Sequence, residues 1–253
     1  MALLALDVLY VRSLFYFEIQ DTDINCYAGI AHGLLQGRAL YSDLWDFKPP
    51  AVFWTYALAE KICGYGLSEV FFLNILFNGL ALAGAYACGY GLSRSRWTGF
   101  LAACFWALVS PQVPLGANEP NTELFINVLQ LFALLFWAGW KEGGGRRIFP
   151  LTAGLCLGAA ALYKQVPVIT ACCMALAPLL AAKGTAARRA AAGEAGRLAA
   201  GFLAPWALTC AYYWAGGRLG LFLQATFADN LDQVSLADNL WSGWMPKNLW
   251  PGF

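Results

Sequence analysis

From residue 70 to residue 215 the chain is a succession of apolar runs, each about as long as a bilayer crossing and parted from the next by a few polar residues. Runs of this kind bury themselves in a large protein core or in lipid, and composition decides between the two. Only 12% of the 253 residues are charged, whereas 60% are hydrophobic; an ordinary soluble domain carries about 25% charged residues. A water-facing surface cannot be built from so few charges. The sequence therefore reads as an all-α integral membrane protein.

A transmembrane helix takes about 20 mostly apolar residues. Seven segments are read as spans: residues 2–17, 70–92, 97–115, 124–140, 148–163, 166–182 and 198–215. The first is short and carries Asp7 and Arg12, but it lacks the basic leader and small-residue cleavage site of a removed signal peptide. Residues 148–182 are one apolar stretch broken only by Lys164-Gln165 and Pro167. As a single helix they would run about 50 Å, too far for a hydrocarbon core about 30 Å thick, and would leave a lysine at mid-membrane. A tight hairpin with Lys164 at the surface is expected instead.

These spans sort the charges. Arg94 and Arg96, then Lys141, Arg146 and Arg147, then Lys183, Arg188, Arg189 and Arg197 fall on one side with only Glu142 and Glu194. Twelve of the fifteen acids fall on the other. The positive-inside bias makes the basic side cytoplasmic and puts the N-terminus there. Residues 1–216 are then one membrane domain. Residues 217–253 form an outer tail in which Trp241, Trp244 and Trp250 read as interface anchors, and the chain is expected to be the N-terminal part of a longer protein.

Several functions are disfavoured. A net charge of +1 offers no basic face for nucleic acid. Six cysteines (Cys88, Cys104, Cys156, Cys172, Cys173 and Cys210) lie within apolar runs and read as small buried hydrophobes. Cys26 and Cys63 flank the first outer loop, where a disulfide is open to them. There is no Cys-x-x-Cys and no His/Cys cluster for zinc.

The first outer loop, residues 18–67, is too long for a plain connector. Ile24, Tyr27, Ala28, Ala31, Leu34 and Leu35 recur at helical spacing, opposite Asn25, Gly29, His32 and Gln36, and Gly37 ends the run. This predicts an amphipathic interfacial helix led by Asp21 and Asp23, where the positive helix end favours carboxylates. Phe47-Lys48-Pro49-Pro50 enforces an extended turn, and residues 51–63 read as a helix too short to span. Asp43 and Asp46 read as turn residues whose side chains bond their own backbone. His32 reads as a solvated histidine.

The order Asp21, Gly37, Tyr41-Ser-Asp43-Leu-Trp-Asp46-Phe-Lys48-Pro-Pro50 and Gly64 resembles the first outer loop of the GT-C membrane glycosyltransferases. Within them it is closest to the bacterial branch related to protein O-mannosyltransferases and lipid A aminoarabinose transferases. Asn118-Glu119-Pro120-Asn121-Thr122-Glu123 and Tyr163-Lys164-Gln165 extend the likeness. The resemblance implies a sugar carried on a polyprenyl phosphate and passed, with inversion, to a hydroxyl acceptor (glycolipid, polysaccharide or protein) on the outer face of the bacterial cytoplasmic membrane. It makes Asp21 the general base; Asp23, which departs from the commoner pattern, is a second catalytic candidate whose role stays open between orienting the acceptor, binding a cation and none. Lys48 would bind the leaving phosphate, helped by Arg38 or Lys164, while Glu119 and Glu123 would bind substrate. No cofactor is certain, and a divalent cation stays open. Two alternatives stand beside it: a partial, non-catalytic GT-C remnant that binds lipid or serves structurally, and a transporter.

Overall fold

The computed structural model describes residues 1–17, 21–111, 119–142 and 148–229. Among them the chain is all-helical, with ten α-helices: α1 (Ala2–Leu14), α2 (Thr22–Leu35), α3 (Ala51–Cys63), α4 (Leu67–Ser93), α5 (Arg96–Val109), α6 (Thr122–Glu142), α7 (Ile148–Ala161), α8 (Pro167–Ala181), α9 (Thr185–Ala215) and α10 (Leu219–Leu223). A π-helical turn, Gln224–Ala228, extends α10.

Each expected span falls on a helix, but the lengths differ. Among the described residues, Leu67–Ser93 and Thr122–Gly139 are long and apolar enough to cross a membrane. The helices α5, α7 and α8 are apolar but only 14, 14 and 15 residues long. At 1.5 Å per residue that is about 21–23 Å. The first expected span, residues 2–17, shortens to the 13 residues of α1. The third ends at Val109, and its residues 112–115 lie outside the described set. In the other direction, α9 begins at Thr185, so the basic stretch 185–197 is helix where a loop was expected. Ala-rich sequence explains this, since alanine is the strongest helix former. The three tail tryptophans lie outside the described residues.

The break between α7 and α8 falls where Lys164-Gln165 predicts it, with helix lost over residues 162–166. The surrounding helices approach closely because the seams are glycine. A Cβ on Gly154 or Gly158 would overlap the backbone of α9 at Leu198 and Phe202, and one on Gly201 would overlap Leu151 of α7. Gly89 and Gly99 do the same for α4 and α5. Small residues four apart let helix backbones touch where there is no hydrophobic drive between helices.

Arg12 ties α1 to this bundle. It is buried, and its Nη2 donates to Asn78 Oδ1 at 3.1 Å and to Ser110 Oγ at 2.9 Å. Asn78 in turn donates to the Asn74 side-chain oxygen at 2.7 Å. A guanidinium inside an apolar bundle must be answered by hydrogen-bond acceptors, and α4 and α5 supply them.

Aromatic packing then collects the polar loops at one end. Tyr27, Tyr41, Phe53, Tyr56, Phe125 and Phe222 are fully buried in one cluster, which draws on α2, α3, α6, α10 and the loop 36–50. Hydrogen bonds stitch the same end: Ala51 N–H donates to Leu162 O at 3.1 Å, and Tyr56 Oη donates to Pro120 O at 3.0 Å. The first outer loop is thereby packed against the starts of α6 and α8.

Candidate functional site

The amphipathic reading of residues 22–35 holds: Ile24, Tyr27, Ala28 and Ala31 face inward on α2, joined by Ile30, while Leu35 is exposed. Asp21 occupies the N-cap position of α2, yet its side chain makes no capping bond. No donor among the described residues reaches that carboxylate. Its backbone is fixed instead, with Asp21 N–H donating to Glu119 Oε1 at 2.9 Å. Asp21 is thus a rigidly seated, exposed acid at the positive end of a helix.

Asp23 is engaged. Its Oδ2 lies 3.2 Å from Lys48 Nζ and 3.1 Å from the Tyr27 hydroxyl, one helical turn on. The same hydroxyl is 3.2 Å from Asn121 Oδ1, so its single proton serves one acceptor at a time. Burial first, and the charge of Asp23 next, push the Tyr27 phenol well above its usual range, which keeps it a neutral donor. The Lys48 side chain is 13% exposed against 49% for Asp23. Its ammonium stands over the rings of Phe47 and Tyr27, 4.9 and 5.0 Å from their centroids. Lysine, carboxylate and two aromatic faces therefore form one packed group.

The loop aims Lys48. Asp46 Oδ1 accepts the Lys48 N–H at 2.8 Å, and Asp43 Oδ2 accepts the Ala39 N–H at 2.8 Å. Both are the self-bonding turns expected of these aspartates. Tyr41 Oη donates to the Lys48 carbonyl at 2.7 Å. Tyr41 holds a left-handed φ of 69°, a strained conformation for a bulky residue. Its buried ring is locked against Tyr213 and Phe222 at 5.3 and 5.7 Å. Long-range packing thus imposes the turn that presents Lys48.

A second ion pair lies on the same end of the bundle. Lys164 Nζ donates to Glu123 Oε1 at 2.8 Å, and Thr122 Oγ1 donates to Glu123 Oε2 at 2.9 Å. Arg38 goes elsewhere: its Nη2 donates to Asp43 O at 3.0 Å, beyond the opposite end of α2 from Asp21. The site group is therefore Asp21, Asp23, Lys48 and Glu119, bordered by Glu123 and Lys164 and without Arg38.

Comparison with protein-family models, curated proteins and solved structures finds no match to this chain.

One possibility the sequence left open closes, and two expectations change. Cys26 and Cys63 are free thiols, not a disulfide; Cys26 Sγ donates to Asp46 Oδ2 at 3.6 Å. Cys172 and Cys173, expected buried, are exposed, because they fall on the face of α8 turned away from α7 and α9. His32 is bridged: Nδ1 lies 2.7 Å from Glu60 Oε1, and Nε2 lies 2.7 Å from Gln36 Nε2. The Glu60 contact pins α2 to α3.

Sequence reasoning missed Tyr27, Asn121 and Phe47 as members of the site. The separation of Asp23 from Tyr27, four residues along a helix, was a usable signal; the contact with Asn121 was not. Among the described residues no three His, Cys, Asp or Glu side chains come together to hold a metal ion.

Proposed function

We propose that this chain is a membrane glycosyltransferase of the GT-C kind, which moves a sugar from a polyprenyl phosphate to an acceptor hydroxyl. Its seven helical segments cross the bilayer with the basic stretches inside and the Asp21 end outside, in a cell membrane of bacterial type. Two apolar helices of spanning length support membrane insertion. So do Phe105, Leu108, Leu180, Leu208 and Trp214, large apolar side chains left exposed on α5, α8 and α9.

One observation carries the catalytic reading. Among the described residues Asp21 is an unengaged carboxylate with its backbone N–H bonded to Glu119, and it is separated by a single residue from an acid already committed to Lys48. Two neighbouring acids in such different surroundings suit two roles. Asp21 takes the proton of the acceptor hydroxyl as that oxygen bonds to the anomeric carbon. The bond from that carbon to the phosphate oxygen breaks, and its electron pair stays on the lipid phosphate. Lys48 meets the developing phosphate charge, and Asp23 and Tyr27 hold the ammonium in position. Glu119 holds Asp21, and Lys164 with Glu123 lies at the border where an acceptor enters.

The test is transfer of labelled sugar from a polyprenyl-phosphate donor in membranes containing the protein. Asp21→Asn should lower the turnover by about 10²–10⁴-fold, the usual contribution of general-base assistance. Unchanged transfer in that variant would remove Asp21 as the base.

A further inference from the structure

A cleft of about 380 Å³ beyond the far end of α2 plays no part in the reaction above. Arg38 and Arg218, 180 residues apart in sequence, both line it. They arrive by the same local device. After α2, Gly37 at φ 86° donates to Leu34 O and Arg38 N–H donates to Gly33 O. After α9, Gly217 at φ 67° donates to Trp214 O and Arg218 N–H donates to Tyr213 O. Each is a Schellman helix stop with its glycine in the left-handed region and an arginine next. These bonds satisfy the closing carbonyls, so the guanidinium groups are not consumed at the helix ends.

Both arginines are steadied by carbonyls. Arg38 donates to Asp43 O at 3.0 Å and Arg218 to Leu40 O at 3.3 Å. The Arg218 guanidinium also lies 5.6 Å from the centre of the Tyr213 ring. Among the described residues neither has a carboxylate within salt-bridge distance. A guanidinium has five donors, so most remain for a ligand, and two such forks in one cleft suit a phosphate.

The rest of the cleft is not built for a soluble anion. Leu34, Leu35, Trp54 and Ala57 line it. Trp54 and Tyr212 also line a second, open cleft of about 350 Å³ that continues to Leu208 on α9. A cationic end thus opens into an apolar trough. We infer that Arg38 and Arg218 grip the phosphate headgroup of an anionic lipid whose chain lies along Trp54, Tyr212 and Leu208. The 14 residues of α2, about 21 Å at 1.5 Å per residue, separate this site from Asp21, and the inference does not depend on the proposed reaction.

The experiment is equilibrium binding of labelled dioleoyl phosphatidic acid to the full chain in non-ionic detergent. Phosphatidylcholine and inorganic phosphate serve as competitors. Phosphatidic acid should bind, phosphatidylcholine should compete poorly, and inorganic phosphate should not displace it at equal concentration. Combining Arg38→Ala with Arg218→Ala should weaken binding by about tenfold or more, as expected for losing charge-assisted bonds. Arg38→Lys with Arg218→Lys, which keeps the charge and guards against misfolding, should lose less. Arg188→Ala, on the basic start of α9, should bind as the parent does. Wild-type affinity in the folded double-alanine variant would overturn the inference, as would equal competition by phosphatidylcholine. Displacement by inorganic phosphate at equal concentration would refute the lipid assignment in favour of a soluble anion.

Discussion

Lys48 Nζ sits 3.2 Å from the Asp23 carboxylate and stands over the Tyr27 ring. The expectation from sequence was Lys48 acting with Asp21. The tertiary structure adds an ion pair between Lys48 and Asp23, while among the described residues no donor reaches the Asp21 carboxylate. Two acids with one residue between them thereby stand in different surroundings.

Asp23 is a positioning residue on this reading, so its variants should separate from those of Asp21. Asp23→Asn should raise KM for the polyprenyl-phosphate donor several-fold and lower kcat less than Asp21→Asn does. Asp23→Glu should recover part of the KM loss. Initial rates against donor concentration in membranes check this. Identical effects on kcat from both aspartates would contradict the division of roles.

Arg12 and Asn78 should behave as one unit. Arg12→Ala leaves the buried Asn78 and Ser110 acceptors without their donor, and an unsatisfied buried polar group costs about 1–3 kcal/mol. Asn78→Ala should be costly too, and the double variant should cost clearly less than the two singles together. Thermal unfolding in detergent, read as a double-mutant cycle, measures the coupling. Additive losses would show that the 3.1 Å contact contributes nothing.

Two glycines should respond in opposite directions. At Gly158 a Cβ would meet the Phe202 backbone of α9, which cannot move aside as a flexible side chain would. Gly158→Ala should therefore destabilise by about 3 kcal/mol, at the upper end of overpacking costs. Gly29, inside α2, has nothing within 4 Å of a Cβ. Gly29→Ala should stabilise by about 0.5–1 kcal/mol through helix propensity alone. Melting temperatures of the two variants in the same detergent decide it.

Cys26 gives a pH test. Burial first, and the Asp46 carboxylate next, raise its thiol pKa. The thiolate is the form that alkylates, so a raised pKa means less reactive species at neutral pH. Labelling of Cys26 by iodoacetamide should be slower than for a free thiol and should climb with pH later than one does. Asp46→Asn should quicken it at fixed pH. Peptide mass analysis without reductant should find both Cys26 and Cys63 alkylated. Their recovery as a linked pair would contradict the free thiols of the structure.

Much of the architecture was legible because it depends on local pattern. The helix over residues 51–63 and the α7–α8 break at Lys164-Gln165 follow from apolar length and from proline and lysine placement. The turns at Asp43 and Asp46 are equally short-range, since each side chain bonds a backbone N–H within four residues. The same local reasoning overstated α1 and mistook the helical start of α9 for loop, because helix ends answer to packing and propensity as well as to hydropathy.

By itself the sequence determined an all-helical, charge-poor chain with its acids gathered at one end. Tertiary structure alone decided which groups meet, Lys48 with Asp23 and Arg12 with Asn78 and Ser110, and that Arg38 and Arg218 line one cleft. The physical reason is range. Helical periodicity and turn chemistry act over a few residues and leave their mark in the string. A buried cation takes whichever acceptor the folded helices carry to it, even when that acceptor lies 98 residues away, as Ser110 does from Arg12.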